Sequence, residues 1–285
     1  MSVGLVLEGG AMRGLYTAGV LDVMMDHGIH ADGVIGTSAG VLFGVNYASG
    51  QRGRALRYNL KYATTGSYMG IRSLLCTGNI INKQFAYYKL PSELDVFDEQ
   101  AFERSGVDFY ATVTNVETGE AEYIKIDDCF AQIEVMRATA AMPFVSRMVE
   151  YEGKQYLDGG VADSIPVDKC KEMGYDKIVV VLTRPLDYRK KKGDERLARL
   201  VYGNYPKLAE RINRRYADYN ACVEKIIDME QRGEIFVIRP SRLVKVKHIE
   251  RDTKKLQAIY DLGAEDCARQ MDDLKKYLQS KSAER

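Results

Sequence analysis

The stretch Val34-Ile35-Gly36-Thr37-Ser38-Ala39-Gly40-Val41-Leu42-Phe43-Gly44-Val45 decides the fold. Two β-branched apolar residues lead into a glycine-flanked serine, and a helix-like apolar run follows. A serine on such a strand-to-helix turn is held on a sharp bend with its hydroxyl exposed. Gly36 and Gly40 are expected to let the backbone bend and to leave room for a carbonyl beside Ser38. Alone, the pentapeptide reads equally as a glycine-rich turn with Ser38 as a helix N-cap. Its surroundings must decide.

Upstream, residues 2–7 read as a buried strand, and Gly14 to Met25 as a helix with Leu15, Ala18, Leu21 and Met25 on one face, closed by Gly28. Two β-α units in succession predict a parallel sheet with covering helices. Downstream, residues 51–105 read as helix and loop. Residues 107–126 read as a hairpin turning at Glu117-Thr118-Gly119, and a helix over 130–141 stops before Pro143. A second hairpin turns at Glu152-Gly153. A helix over 167–173 then leads into the buried strand Lys177 to Leu182.

After Pro185 the basic run Arg189-Lys190-Lys191-Lys192 opens a mostly helical tail. One helix carries Leu208, Ile212, Tyr216, Tyr219, Val223 and Ile226 on a face. A short strand follows at 234–238. A last helix carries Leu256, Tyr260, Ala264, Cys267, Met271, Leu274 and Leu278. Both stripes read as packing faces. The expected architecture is a three-layer α/β/α domain over residues 1–185, with a mostly parallel central sheet. A helical C-terminal region, 186–285, packs onto it.

Bulk properties narrow the function. The chain has 285 residues, 46% hydrophobic and 28% charged, ordinary for a globular protein. A formal net charge of +1 argues against nucleic acid as a partner. No apolar run is long enough to cross a membrane, and the N-terminus reads as a strand rather than a secretory leader. Five scattered cysteines without a C-x-x-C suggest reduced thiols and a cytoplasmic location. His27, His30 and His248 form no ligand cluster, so neither a metal nor an organic cofactor is expected.

Two further elements carry chemistry. Glu8-Gly9-Gly10-Ala11-Met12-Arg13-Gly14 joins the first strand to the first helix. Small residues at a helix N-terminus leave backbone N–H groups free, and the helix dipole adds positive potential, so an anion is stabilised there. That anion is either a phosphate or the oxyanion of a tetrahedral intermediate. A Walker loop needs Lys-Ser/Thr after its last glycine, whereas Leu15-Tyr16 follow Gly14. The dinucleotide pattern fails at Ala11. The other element is Asp158-Gly159-Gly160, where an aspartate on a bend either presents its carboxylate to a partner or bonds its own backbone.

Together, Gly9 to Gly14, Gly36-Thr37-Ser38-Ala39-Gly40 and Asp158-Gly159-Gly160 resemble, in order and setting, the patatin-like phospholipase family. The runs Met136-Arg137-Ala138-Thr139-Ala140-Ala141-Met142-Pro143 and Tyr156 to Pro166 resemble it too, so that the likeness covers roughly residues 3–184. The resemblance implies a catalytic dyad of Ser38 and Asp158. It implies hydrolysis of fatty acyl esters of phospholipids or lysophospholipids through an acyl-enzyme. The histidine inventory agrees on its own: only His248 follows the acid, and it sits in the basic stretch Lys245-Val246-Lys247-His248. Aspartate is a weak base, with an ordinary pKa of about 3.9. Its burial or a very short Ser–Asp contact is therefore expected. Gly10 and Ala11 are the expected oxyanion donors, and Arg13 matches the family's basic position, where it orients the loop or meets an anionic head group. The family often has a third glycine where this chain has Ala11, and alanine disfavours a positive φ.

Substrate and surroundings are read from charge. Between Asp32 and Glu93 there is no acid, while Arg52, Arg54, Arg57, Lys61, Arg72, Lys83 and Lys89 alternate with six tyrosines. That composition suits peripheral contact with an anionic membrane through residues 50–90. It equally suits solvated helices whose tyrosines pack inward. Two alternatives to the hydrolase remain open: a phosphate- or nucleotide-binding module using Gly9 to Gly14, and a non-catalytic lipid- or protein-binding relative of the fold.

Overall fold

The computed structural model describes residues 1–280. β1 (Val3–Leu7) runs through a 3-10 turn at Ala11–Gly14 into α1 (Leu15–Asp26), and β2 (Gly33–Thr37) runs through Ser38 into α2 (Ala39–Ala48). Next come α3 (Arg54–Tyr62), α4 (Ile71–Thr77), an irregular helical stretch at Gln84–Leu94, and α5 (Glu99–Arg104). β3 (Asp108–Asn115) and β4 (Ala121–Lys125) form the first hairpin, and α6 (Ile133–Ala138) precedes the second, β5 (Val149–Tyr151) and β6 (Lys154–Asp158). α7 (Val167–Glu172), β7 (Lys177–Val181), α8 (Glu195–Val201), α9 (Pro206–Gln231), β8 (Phe236–Ile238) and α10 (Thr253–Gln279) complete the described chain.

The eight strands form one sheet in the order β5-β6-β3-β2-β1-β7-β8, with β4 also paired to β3. From β3 to β8 the pairings are parallel, whereas β4, β5 and β6 add antiparallel hairpin pairings. Side chains alternate across the sheet. Leu5, Leu7, Val34, Val179 and Val181 pack with α1, α2 and α10 on one face. Val6, Ile35, Ile178 and Val180 pack with α7 and α9 on the other. Two buried faces explain why β1 and β7 read as continuous apolar runs, and they make the architecture three layers, α/β/α.

The second half of the chain supplies parts of the same core. β8 pairs in parallel with β7 at Val179↔Phe236 through Val181↔Ile238. α10 lies directly on α1, so that α1 is buried almost all round rather than on the single face its apolar spacing suggested. The approach is backbone to backbone. A Cβ on Gly19 would stand 2.1 Å from the Tyr260 carbonyl oxygen, and one on Gly263 would stand 2.0 Å from that of Tyr16. In α10, Leu256, Cys267, Met271 and Leu274 are buried as expected, joined by Ile259 and Leu262. Tyr260, Ala264 and Leu278 lie at the edge of the face. In α9, Leu208, Tyr219, Val223 and Ile226 are buried, while Ile212 and Tyr216 are only half-buried.

Of the seven cations in residues 50–90, Arg52, Arg54, Arg57 and Lys83 have acidic partners from outside the segment. Arg52 pairs with Asp26, Arg57 with Asp95 and Lys83 with Glu134, while Arg54 is buried against Asp95 and Asn46. Tyr47, Tyr58, Tyr68 and Tyr87 are core residues. Partners distant in sequence supply the missing acids, which a count along the segment cannot register. What the segment does present is Ile71 and Leu75 on α4, 73% and 81% exposed.

Candidate active site

β3 explains why Ser38 and Asp158 meet. β2 pairs along β3 as far as Thr37↔Thr112, and β6 pairs with β3 from Asp158↔Val113 onward. β4 already occupies the other edge of β3 over these residues, so β2 and β6 share one edge and meet end to end. Ser38 follows the last residue of β2, and Asp158 is the last residue of β6. The join brings together two side chains 120 positions apart: Ser38 Oγ donates to Asp158 Oδ2 at 2.7 Å.

The serine turn is strained. Ser38 has φ +55° and ψ −121°, a left-handed-side conformation that costs a non-glycine residue roughly 1–3 kcal/mol. Hydrogen bonds hold it there. Thr139 Oγ1 accepts from the Ser38 N–H at 2.9 Å and donates to the Thr112 carbonyl at 2.7 Å. The Ser38 carbonyl accepts from the N–H groups of Val41 and Leu42. The glycines serve close packing, not the bend. A Cβ on Gly40 would stand 2.5 Å from the Leu7 carbonyl oxygen, and one on Gly36 would stand 2.9 Å from the Val41 nitrogen. Neither takes a positive φ. Among the residues of this turn, the serine itself bears the unusual dihedral.

Asp158 fills both roles that its sequence setting allowed. Oδ1 accepts the Gly160 N–H at 2.8 Å, and Oδ2 accepts the Ser38 hydroxyl. Gly159 packs so tightly that a Cβ would stand 2.2 Å from the Thr112 carbonyl oxygen. Asp158 is 6% exposed. Desolvation pushes its pKa up, opposed by Arg215, the Ser38 and Gly160 hydrogen bonds and Lys190. The result is a carboxylate that is a better proton acceptor than an exposed one.

The glycine loop closes the site. The Gly9 N–H donates to the Ser164 carbonyl at 3.2 Å and the Arg13 N–H to that of Gly10 at 3.1 Å. Among the described residues, the N–H groups of Gly10 and Ala11 have no acceptor. Ala11 holds φ +49°, so the loop keeps a left-handed residue despite the Cβ. Gly9, Gly10, Ala11 and Arg13 line a cavity of about 490 Å³ together with Ser38 and Asp158. Met12 and Gly14, although in the same loop, are absent from its wall. The 3-10 turn carries Met12 into the core and sets Gly14 against Ala39 and Phe43.

The rest of the wall was not legible in the sequence. Arg184, Tyr188, Lys190, Arg215 and His248 come from the second half of the chain. Lys190 belongs to the basic run Arg189-Lys190-Lys191-Lys192, which in sequence only opens the helical tail. His248, set aside for its basic neighbours, reaches the rim but makes no hydrogen bond to Ser38 or Asp158. Partial desolvation, then repulsion from Arg13, Arg215, Arg184 and Lys190, push its pKa down to about 4. A smaller apolar cavity of about 90 Å³, lined by residues such as Tyr58, Tyr87 and Met136, touches neither Ser38 nor Asp158.

Residues 5–170 match the model of a family described as patatin-like phospholipase, and residues 205–279 match a domain of unknown function (DUF6363). An uncharacterized protein of Escherichia coli K12, YjjU, is 31% identical over 187 residues, covering 64% of this chain and 52% of that one. Lysophospholipase nte1 of Aspergillus niger is 29% identical over 203 residues, covering 65% of this chain and 12% of that one. The chain thus spans about half the length of the bacterial relative and a small part of the fungal one. Among solved structures, VipD from Legionella pneumophila aligns with a TM-score of 0.48 at 13% identity, covering 95% of this chain and 67% of that chain.

Proposed function

The chain belongs to the patatin-like phospholipase family, and from that membership we propose that it is a serine acyl-ester hydrolase working through Ser38 and Asp158. The observation that carries the reading is the 2.7 Å hydrogen bond from Ser38 Oγ to buried Asp158, beside two unpaired backbone N–H groups in one cavity. Asp158 Oδ2 takes the proton as Ser38 Oγ attacks the ester carbonyl carbon. The N–H groups of Gly10 and Ala11 stabilise the oxyanion, a contribution worth about a hundred- to a thousandfold per donor. Collapse breaks the ester C–O bond, and the leaving alcohol takes the proton from Asp158. Water, deprotonated by the same carboxylate, then releases the acid.

Fatty acyl esters of phospholipids or lysophospholipids are the proposed substrates, in line with the names of the fungal relatives. Residues 1–185 are the proposed catalytic part, and the described remainder, 186–280, completes its core and cavity wall. Peripheral contact with a membrane is proposed through residues 50–90, narrowed to α4, where Ile71 and Leu75 flank Arg72. Vesicle flotation with anionic and neutral lipids tests that contact; equal retention of Leu75→Ser and the parent chain overturns it.

Covalent labelling by a fluorophosphonate, with Ser38→Ala as control, tests the hydrolase. Labelling of the parent and none of the folded variant is expected. Esterase activity retained in folded Ser38→Ala refutes the assignment, and an unlabelled parent favours a non-catalytic relative.

A further inference from the structure

Four cations stand in the wall of the Ser38 cavity: Arg13 from the glycine loop, Arg184 and Lys190 from the segment after β7, and Arg215 from α9. No ion pair among the described residues includes any of them. Their contacts are to neutral groups instead. Lys190 Nζ donates to Ser164 Oγ at 3.2 Å and lies 3.8 Å from the centre of the Tyr219 ring. The Arg184 guanidinium lies 4.1 Å from that of Tyr188. Arg215 Nε donates to the Gly160 carbonyl. Arg13 is 8% exposed, and its Nε has no hydrogen-bond partner.

The carboxylates of the wall are already engaged. Glu8 accepts from the Tyr219 hydroxyl and the Thr183 N–H, and Asp158 from Ser38 and Gly160. Desolvation, followed by repulsion from Arg215, holds Lys190 well below the ordinary lysine range. Gathering desolvated cations in excess of their counter-charges destabilises a fold, so the cluster calls for an anion from outside the chain. Four basic side chains stand against two carboxylates, a wall that suits an anion such as a phosphate monoester, whose charge is about −1.5 to −2. The remaining wall is largely apolar, with Ile80, Met142, Phe144, Val145, Ile212 and Ile249.

We propose that Arg184, Lys190 and Arg215, together with Arg13, form a phosphate subsite, so that the cavity takes a phosphorylated acyl ester. Its acyl part lies against the apolar wall and its phosphate against the cations. The guanidinium groups bind phosphate oxygens in pairs, and the lysine adds a point charge. The ester half of this statement rests on the hydrolase reading above; the anion half does not.

Two measurements test it, with Arg184→Gln/Lys190→Gln as the variant and Arg184→Gln against Arg184→Lys if the double substitution unfolds the chain. Calorimetry on Ser38→Ala protein uses glycerol 3-phosphate and inorganic phosphate as probes. Kinetics on Ser38 protein compare monooctanoylglycerol 3-phosphate with monooctanoylglycerol. Glycerol 3-phosphate is expected to bind, and the variant to bind it at least about tenfold more weakly, the factor that about 1.4 kcal/mol of lost contact produces. The ratio of kcat/KM for the phosphorylated over the neutral ester is expected to fall by a similar factor, whatever happens to the neutral rate, since Lys190 also acts on Asp158. Unchanged affinity, or equal loss on both esters, overturns the subsite. Inorganic phosphate binding as tightly as glycerol 3-phosphate, with no preference for the phosphorylated ester, overturns its assignment to substrate. If neither ester is cleaved but glycerol 3-phosphate binding still depends on Arg184 and Lys190, the hydrolase reading fails and the phosphate subsite stands.

Discussion

Replacing Thr139 with valine tests whether the serine turn is held by tertiary contacts. Thr139 is fully buried, and valine has nearly its shape, so packing is conserved. The hydroxyl makes two hydrogen bonds, accepting from the Ser38 N–H at 2.9 Å and donating to the Thr112 carbonyl at 2.7 Å. Without it, the buried Ser38 N–H loses its acceptor, at about 1–3 kcal/mol, and the bond to Thr112 is lost as well, at about 0.5–1.5 kcal/mol. The sum is about 1.5–4.5 kcal/mol of stability. At about 2–4 °C per kcal/mol for large domains, the expected fall in Tm is about 3–18 °C.

Activity falls too, because the lost bond helps hold Ser38 at φ +55°, where its hydroxyl meets Asp158. A turn free to relax by even about 1.4 kcal/mol costs about tenfold in kcat. Thermal unfolding by circular dichroism and steady-state hydrolysis of a short-chain ester read the two effects separately. Thr139→Ser keeps the hydroxyl and restores most of the lost activity. Thr139→Val with the stability and kcat of the parent would refute the view that this hydroxyl holds the turn.

Other outcomes follow from the same geometry. Asp158→Asn removes the proposed base, so ester hydrolysis should fall by about a hundred- to ten-thousandfold. It should also raise the unfolding midpoint at neutral pH. Burial raises the folded Asp158 pKa, so the stability this group contributes is present below its unfolded value and is lost as pH rises through the folded one. The neutral amide escapes that loss, and an unchanged or lower midpoint in the folded variant would contradict the sign. For the same reason kcat/KM should rise with pH along a limb centred above the ordinary aspartate value of about 3.9, because the carboxylate form is the one that accepts the proton. Removing the Arg215 charge, which opposes the shift, should move that limb higher. Ala11→Gly relieves an alanine at φ +49° of about 1–2 kcal/mol of strain but frees the unfolded chain by about 0.4–1 kcal/mol. Stability should therefore hold steady or rise slightly by denaturant titration, and a loss above about 1 kcal/mol would contradict the strain.

How far the site was legible depended on the range of each interaction. Ser38, Asp158 and the amides of Gly10 and Ala11 stand out as candidates because turns, helix N-termini and small residues are local features of a chain, while their order along it, through the family resemblance, joins them into one site. Thr139 lies inside the run Met136 to Pro143, yet nothing local says that its hydroxyl will cap the Ser38 N–H, 101 positions away. Arg184, Lys190 and Arg215 were hidden for the same reason. A basic run and a helical arginine look like solvent-facing charge until the chain returns past β7 and lays α9 beside the glycine loop. In residues 50–90 the acidic partners Asp26, Asp95 and Glu134 of Arg52, Arg57 and Lys83 lie outside the segment, so a count along it leaves the membrane-facing and the inward-packed readings open.

By itself, the sequence determined the α/β alternation and the buried parallel strands, because periodicity and turn chemistry act over a few residues, and it marked Ser38 and Asp158 as candidates through the resemblance of their motifs to a family. Only the tertiary structure decided that β2 and β6 meet end to end on one edge of β3. That long-range register places Ser38 Oγ 2.7 Å from Asp158 Oδ2. It also decided that Gly36 and Gly40 serve close approach, that Ser38 itself takes the strained dihedral, and that cations from the second half of the chain form one wall of the cavity. Each of these depends on which distant backbone comes near, and no local propensity encodes that.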